Sequence, residues 1–291
     1  MKPAIEKEPG PVVIGGLGGS GTRVIADMLL RLGYDLGSSL NQALDNLWFT
    51  LLLKRPAWLN RPPHPDQIYA ALDVFVKAIR QGMETASASE RAIVQQAMAE
   101  HASHERRMGV RAEEGNCLLA ARQQQSATHK WGWKEPNSQI FLPFLIDQLP
   151  GLRYIHVVRH GLDMAFSNNQ QQVRNWGGWF GLELDLERTP TPAEQLEYWL
   201  RTTRHVLALG KEKLGSRFLV VDFDNTWRSP DRVVDRLLSF LDLTPAPEIR
   251  QQLIGLPRRP QSAGRWKTMS LEQFSQHQLE AVQQLGYEVH R

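Results

Sequence analysis

Pro11-Val12-Val13-Ile14-Gly15-Gly16-Leu17-Gly18-Gly19-Ser20-Gly21-Thr22-Arg23 reads as a strand, a glycine turn and the start of a helix. Val12 to Ile14 are β-branched and apolar, as a strand buried on both faces requires. The glycines end that run. From Arg23 to Leu32 the pattern changes period, and Val24, Ile25, Met28, Leu29 and Leu32 recur at the spacing of one helix face. Such a junction suits an anion: glycines let successive backbone N–H groups point inward, and the helix N-terminus adds partial positive charge. Ser20 and Thr22 offer hydroxyl donors, and Arg23 offers a guanidinium. A tight turn that needs glycine for geometry alone is the plainer reading. The combination of glycines and hydroxyls favours phosphate.

The loop matches neither common phosphate fingerprint. The nucleoside triphosphatase pattern runs from Gly16 to Gly21 correctly, but Thr22 stands where it requires lysine. The dinucleotide pattern is met by Gly16 and Gly18 or by Gly15 and Gly18, without a third glycine. Asp35 would be its acidic residue, after no clear second strand.

Downstream, Asn41 to about Arg122 reads as mostly helical, interrupted by Pro56, Pro62, Pro63 and Pro65; Ser87 with Glu90 forms a capping-box signature for a helix through Ala99. A strand is expected at His129 to Lys134, a helix from about Asn137 to Leu149, and an apolar strand at Tyr154 to Val158. That βαβ unit implies a parallel sheet. A helix beginning near Leu162, a Gly/Trp-rich loop at Trp176 to Phe180, a long helix from about Ala193 to Leu214 and a strand from Arg217 to Phe223 follow. Ser229-Pro230 opens a helix to about Leu241, and the tail holds a basic loop and a short helix near Leu271 to Leu285. The expectation is a single three-layer α/β domain over residues 1–291: a central parallel sheet flanked by helices, nucleotide-kinase-like, with a helical insertion at about 41–125.

The chain has 291 residues, 42% hydrophobic and 22% charged, a globular profile. Its net charge of +3 lacks the basic block of a nucleic-acid binder. No apolar run is long enough to span a bilayer, and Met1 to Pro9 carries no secretory signal. One cysteine, Cys117, excludes an internal disulfide and a cysteine-rich zinc site, so a cytoplasmic location is expected. His101 and His104 are one helical turn apart but lack a third ligand, so a solvated helix face is expected there.

Two further segments carry chemistry. Arg159 closes the strand Tyr154 to Val158, and Ser167 follows eight residues later, on the first turns of the next helix. At the carboxyl edge of a parallel sheet the two side chains converge on one ligand, and a guanidinium with a hydroxyl suits a phosphate monoester. Arg258 to Lys267 is a basic, Gly-containing segment with one aromatic, either a solvated loop or a lid over an anionic heterocycle.

In this order these segments resemble the sulfotransferase family that uses 3′-phosphoadenosine 5′-phosphosulfate (PAPS) and releases adenosine 3′,5′-bisphosphate (PAP). The resemblance covers nearly the whole chain and is weakest from about Pro56 to Arg122. It implies that the loop residues Gly18, Gly19, Ser20, Gly21, Thr22 and Arg23 hold the 5′-phosphosulfate. Arg159 and Ser167 would then hold the 3′-phosphate, and Gly264-Arg265-Trp266-Lys267, with Arg259, would close over the nucleotide. Lys134-Glu135-Pro136 is similar to the family's Lys-Thr-x segment.

The sequence departs from the family at two places. Gly19 stands where a Lys or Arg usually meets the leaving group, which leaves Lys134 or Arg23 to substitute; Pro136 stands where many members carry a histidine base. Glu135, Asp45 and His160 are the candidate bases, although Glu135 pairing with Lys134 is the plainer reading of that residue. One or two rings of Trp176 to Phe180 would line an acceptor pocket. The implied activity is sulfuryl transfer to a hydroxyl or amine of a small-molecule or carbohydrate acceptor, with no metal required. A P-loop kinase and a nucleotide-binding module without catalysis are the rivals.

Overall fold

A computed structural model describes residues 10–104, 112–120 and 129–290. Strand β1 (Val12–Gly16) lies inside a four-stranded, all-parallel sheet of order β2-β1-β3-β4, with β2 at Gly132–Lys134, β3 at Arg153–Val158 and β4 at Phe218–Asp222. Pairing runs Val12 to Gly132 on one side, Val12 to Arg153 on the other, and Tyr154 to Phe218 beyond, so all four carboxyl ends share one edge. The loop after β1 opens at that edge, where ligands of open α/β sheets bind.

Alternation along each strand divides the core in two, because successive side chains point to opposite faces. Val12, Ile14, Ile155, Val157, Leu219 and Val221 pack on one face with Ile25, Met28 and Leu29 of α1 (Thr22–Arg31). Val13, Trp133, Tyr154 and Val158 pack on the other, against α2 (Leu47–Leu53) and α3 (Pro65–Gln81) through Phe49 and Phe75. The expected three layers, with a central parallel sheet flanked by helices, are what the chain forms.

Helix α4 (Ala88–Ser103) opens on the expected capping box: Glu90 N donates to Ser87 Oγ at 3.2 Å, and Ser87 N donates to the Glu90 carboxylate at 2.6 Å. Parts of the helical insertion lie outside the described residues; α5 (Ala112–Ala120) lies within them. His101 corrects the expectation of a solvated face. It is buried, with Nε2 3.1 Å from the Leu51 carbonyl, and burial lowers its pKa to about 4.

Elsewhere the elements form with altered ends. The strand expected from His129 shrinks to Gly132–Lys134, with Trp131 in an isolated bridge to Asp35. The helix expected over Asn137 to Leu149 divides into a 3-10 turn (Pro136–Gln139) and α6 (Leu142–Gln148), because the Glu135 carboxylate accepts the Asn137 N–H and starts the turn. The helix expected near Leu162 is two short ones, α7 (Gly161–Ala165) and α8 (Gln171–Trp176).

A second capping box, Thr191 with Glu194, starts the long α9 (Pro192–Leu209). Asp222 ends β4 and accepts the Asp224 N–H at 2.9 Å, which begins α10 (Phe223–Arg228). Pro230 is the first residue of α11 (Pro230–Leu241) as expected, but Ser229 makes no side-chain cap. Helix α12 (Pro247–Ile254) is additional, and α13 (Gln276–Gln284) is shorter than the tail pattern suggests. No helix among the described residues is long and apolar enough to cross a membrane.

A buried histidine in the sheet makes folding pH-dependent. His156 is 1% exposed, grouped with the near-parallel rings of Tyr154 and Phe218, and burial holds its pKa at about 3. Below pH ~6.5 the unfolded chain takes up a proton that the folded chain refuses, so stability falls by ~1.4 kcal/mol per pH unit until the folded pKa is reached. His156→Phe removes that proton uptake while keeping the stacking. The variant is expected to lose ~1–2 kcal/mol less than the wild type between pH 7 and 5. Denaturant titrations at both pH values check this; equal losses would show that His156 is not the acid-sensitive group.

Candidate active site

Gly21 carries φ +93°, and a Cβ there would lie 2.0 Å from Phe223 Cδ2, so the ring at the end of β4 seals one side of the loop. Helix α1 has no side-chain cap and no acid in its first turn, so no capping side chain satisfies its first N–H groups, although Val24 N donates to the Gly21 carbonyl at 3.1 Å. Ser20 is 1% exposed, and its Oγ has no hydrogen-bond partner among the described residues. A buried hydroxyl of that kind carries a desolvation cost that a ligand oxygen would relieve. Thr22 is buried beside it, and Ser20 N donates to the Leu17 carbonyl at 2.9 Å. Gly21→Ala is expected to destabilise the fold by ~1–3 kcal/mol through left-handed strain alone, before the clash with Phe223 is counted. Thermal melting checks this, and an unchanged melting temperature would mean that the loop is not held in this form.

Arg159, one residue past β3, is 5% exposed and reaches the loop. Its Nη1 donates to the Gly19 carbonyl at 3.3 Å; Nη2 donates to Asp163 Oδ2 at 3.1 Å and to the Ser262 carbonyl at 2.7 Å. Its buried Nε has no partner among the described residues. Arg265 stands close enough that burial and the like charge of Arg159 hold its pKa below the usual guanidinium range. Two neighbouring guanidiniums sharing one buried acid form a site with a surplus of positive charge. Ser167 corrects the sequence expectation of helical first turns. It lies two residues beyond α7, its Oγ accepts the Asn169 N–H at 3.2 Å, and Arg265 binds the adjacent Phe166 carbonyl at 3.1 Å.

The basic tail is docked by its own backbone. Asp163, 1% exposed, accepts the N–H of Gly264 at 2.9 Å and that of Trp266 at 3.4 Å. Trp266 is 2% exposed and stacks on His160 at 4.9 Å between centroids. The Trp266 ring, expected over a ligand, packs on His160 and is also among the residues that line two cavities. Lys267 remains exposed, and Arg259, also exposed, lies over the Trp227 ring at 5.5 Å. His160 bonds the Glu288 carbonyl at 2.8 Å and lines a cavity of about 240 Å³ together with Asp163, Trp266 and Lys267. Burial lowers its pKa.

A separate cavity, of about 270 Å³, includes Gly18 of the loop in its lining. Gly18, Asp45, Lys54, Glu135, Asn137, Gln172 and Trp176 are among the residues that line it. Here the structure brings three sequence candidates together. Lys134 is 2% exposed, donates to the Ala43 carbonyl at 2.8 Å and pairs with Asp45. Glu135 pairs not with Lys134 but with Lys54, at 3.2 Å, and also accepts from Asn137 Nδ2 at 2.9 Å. Arg23 stands exposed on the first turn of α1 and is not among the lining residues. Of the Trp176 to Phe180 rings, Trp176 lines the cavity, whereas Trp179 donates to the Trp58 carbonyl at 2.9 Å.

Sequence reasoning missed Lys54, Asn137 and Gln172. Gln172 joins the two halves of the site: its Oε1 accepts the Gly18 N–H at 2.9 Å, and its Nε2 donates to Asn137 Oδ1 at 2.8 Å. Asn137 was within reach, two residues after Glu135. Lys54 and Gln172 carry no local signal, since long-range packing brings them in. Among the described residues no group of three or more His, Cys, Asp or Glu is placed to hold a metal ion.

Comparison with known proteins bears on the family and the fold. A sequence model described as the sulfotransferase family matches residues 11–247. The chain is similar in structure to a sulfotransferase domain from the curacin biosynthetic pathway (17% identity, TM-score 0.54, covering 97% of this chain and 99% of that one). It is likewise similar to the sulfotransferase domain of the Synechococcus PCC 7002 olefin synthase (15% identity, TM-score 0.52, covering 98% of each). At these identities the likeness speaks for the fold. No curated protein matches the sequence significantly. The family match runs from the residue before β1 to the first residue of α12 and takes in both the glycine loop and Arg159, so the chain belongs to the sulfotransferase family.

Proposed function

We propose that the protein is a PAPS-dependent sulfotransferase that moves a sulfuryl group to a hydroxyl of a small acceptor and releases PAP. The observation that carries this reading is the buried, unpartnered Ser20 hydroxyl at a helix N-terminus without a side-chain cap, with the Arg159 guanidinium at the loop carbonyl. A phosphorylated nucleotide fits there: the loop N–H groups, Ser20 and Thr22 would hold the 5′-phosphate. Arg159, Ser167 and Arg265 would hold the 3′-phosphate, with Arg259 and Lys267 adding charge at the rim. When bound, PAPS supplies an activated sulfuryl group with PAP as its leaving group, chemistry akin to phosphoryl transfer.

The chain's own part is positioning and charge. Asp45, oriented by Lys134 and facing the cavity beside Gly18, is the proposed base for an acceptor hydroxyl. Lys54, in the same cavity, is the proposed cation in place of the one that Gly19 lacks. Glu135 is engaged by Lys54 and Asn137 and holds the wall of the cavity. We read residues 1–291 as one domain, supported by the family match over residues 11–247, and the setting as cytoplasmic, supported by the single Cys117. The experiment is a thermal-shift panel of PAP, AMP, ATP and NAD. PAP is expected to raise the melting temperature far more than AMP, because only PAP brings a 3′-phosphate to Arg159; equal shifts would overturn the reading.

A further inference from the structure

The cavity beside Gly18 has an unusual lining, and that lining selects an acceptor class. Five carboxamides face it: Asn137, Asn169, Gln171, Gln172 and Asn175. With them comes one aromatic, Trp176, which is fully buried and whose Nε1 has no hydrogen-bond partner among the described residues. Helix α8 supplies three of the amides and the ring. Gln171 and Asn175 are one turn apart, as are Gln172 and Trp176, so neighbouring residues of one helix face serve one cavity.

Each carboxamide carries two N–H donors and a carbonyl acceptor. Part of that capacity is used internally: Gln172 bridges Gly18 and Asn137, and Gln171 Nε2 donates to Asn175 Oδ1 at 2.6 Å. The Asn169 side chain and Gln171 Oε1 have no such bond among the described residues. A hydroxyl is likewise both donor and acceptor, and several on one ring would meet several carboxamides without any net charge. An alkyl chain or a phenol ring filling the same space would cover the Asn169 side chain and Gln171 Oε1 without pairing them, which a polar site disfavours. At about 270 Å³ the cavity is below the ~300–1,000 Å³ usual for drug-sized ligands, and it has room for one ring.

Resting on the donor reading above, we infer that the acceptor is a polyhydroxylated ring, a sugar or cyclitol, held by the carboxamides of α8 and Asn137 with one hydroxyl turned toward Asp45. Transfer would form an O–S bond at that hydroxyl and break the bond between sulfur and the bridging oxygen of the donor. The hydroxyl proton would pass to the Asp45 carboxylate, and PAP would leave with the electron pair of the broken bond.

The test uses the full chain and two sets of probes: glucose, N-acetylglucosamine and myo-inositol against p-nitrophenol and 1-octanol. Binding is read by saturation-transfer NMR without donor, PAP formation from PAPS by chromatography, and PAP affinity by calorimetry. At least one sugar or cyclitol is expected to bind and to raise PAP formation at least ~10-fold, with neither apolar probe doing so. Exposed Gln171, changed as Gln171→Ala, is expected to weaken that binding ~3–10-fold with PAP affinity unchanged. Three results would overturn the inference: no binding by any sugar or cyclitol, equal or greater stimulation by p-nitrophenol or octanol, or a Gln171→Ala variant that binds sugar as the wild type does. If sugars bind and PAP does not, the polyhydroxyl site stands and the donor reading falls; if PAP binds and sugars do not, the reverse holds.

Discussion

Arg159→Lys is expected to weaken PAP binding by ~10–100-fold while leaving AMP affinity within about twofold. A charge-assisted hydrogen bond is worth ~1.5–3 kcal/mol, and each ~1.4 kcal/mol is tenfold in affinity. Lysine keeps a positive charge near Asp163 but loses the planar fork that binds a phosphate with two N–H groups. It also loses the Nε–H, which is buried and without a partner among the described residues. Alanine is the poorer test. Asp163 is 1% exposed, and removing one partner of a buried ion pair costs ~3–5 kcal/mol, so weaker binding by Arg159→Ala would be mixed with unfolding. Calorimetry with PAP and AMP on Arg159→Lys, with melting temperatures measured alongside, separates the two effects. If both nucleotides weaken equally, Arg159 shapes the loop and does not hold the 3′-phosphate.

Lys54→Ala is expected to lower sulfuryl turnover ~10²–10³-fold, the scale for losing one transition-state donor, with PAP affinity kept within a few-fold. Lys54 is the cation that both lines the cavity beside Gly18 and remains 18% exposed at its side chain; Lys134 is 3% exposed there and held by Asp45 and the Ala43 carbonyl. Lys54→Arg should restore much of the rate, because charge and reach are kept. Asp45→Asn is expected to cost ~10²–10⁴-fold if its carboxylate is the base. Lys134→Ala should act through Asp45, lowering turnover and melting temperature together, since it strips a buried pair. The measurements are steady-state PAP formation and PAP calorimetry on each variant. Normal turnover by Lys54→Ala with a tenfold or greater loss in Lys134→Ala at wild-type melting temperature would move the cation to Lys134. Should no acceptor support turnover by the wild type, the protein is a nucleotide-binding module.

The donor side of the site was legible because its parts are contiguous. The loop Gly15 to Thr22 lies between one strand and one helix, and Arg159 directly follows another strand, so backbone topology alone carries both to the same sheet edge. Lys134 and Glu135 are legible at a strand end and Asp45 from the apolar helix pattern near Asn46 and Trp48; the structure pairs Lys134 with Asp45 and sets Asp45 and Glu135 in the wall of one cavity. Their pairings were not legible. The sequence neighbours Lys134 and Glu135 turn to different partners, Asp45 and Lys54, because successive residues at a strand end point in opposite directions.

Period and glycine placement determined the rest from the sequence: three layers, a parallel sheet, and an anion-seeking loop at its edge. Each follows from local sterics and from alternating burial, which a few adjacent residues encode. Only the tertiary structure decided that Trp266 packs on His160, that Gln172 ties Gly18 to Asn137 across 154 and 35 residues of chain, and that Lys54 faces the cavity. Those contacts join segments with no common period. What sets them is how helices α2, α7 and α8 come to rest on the sheet, a result of packing the whole core and not of any one stretch.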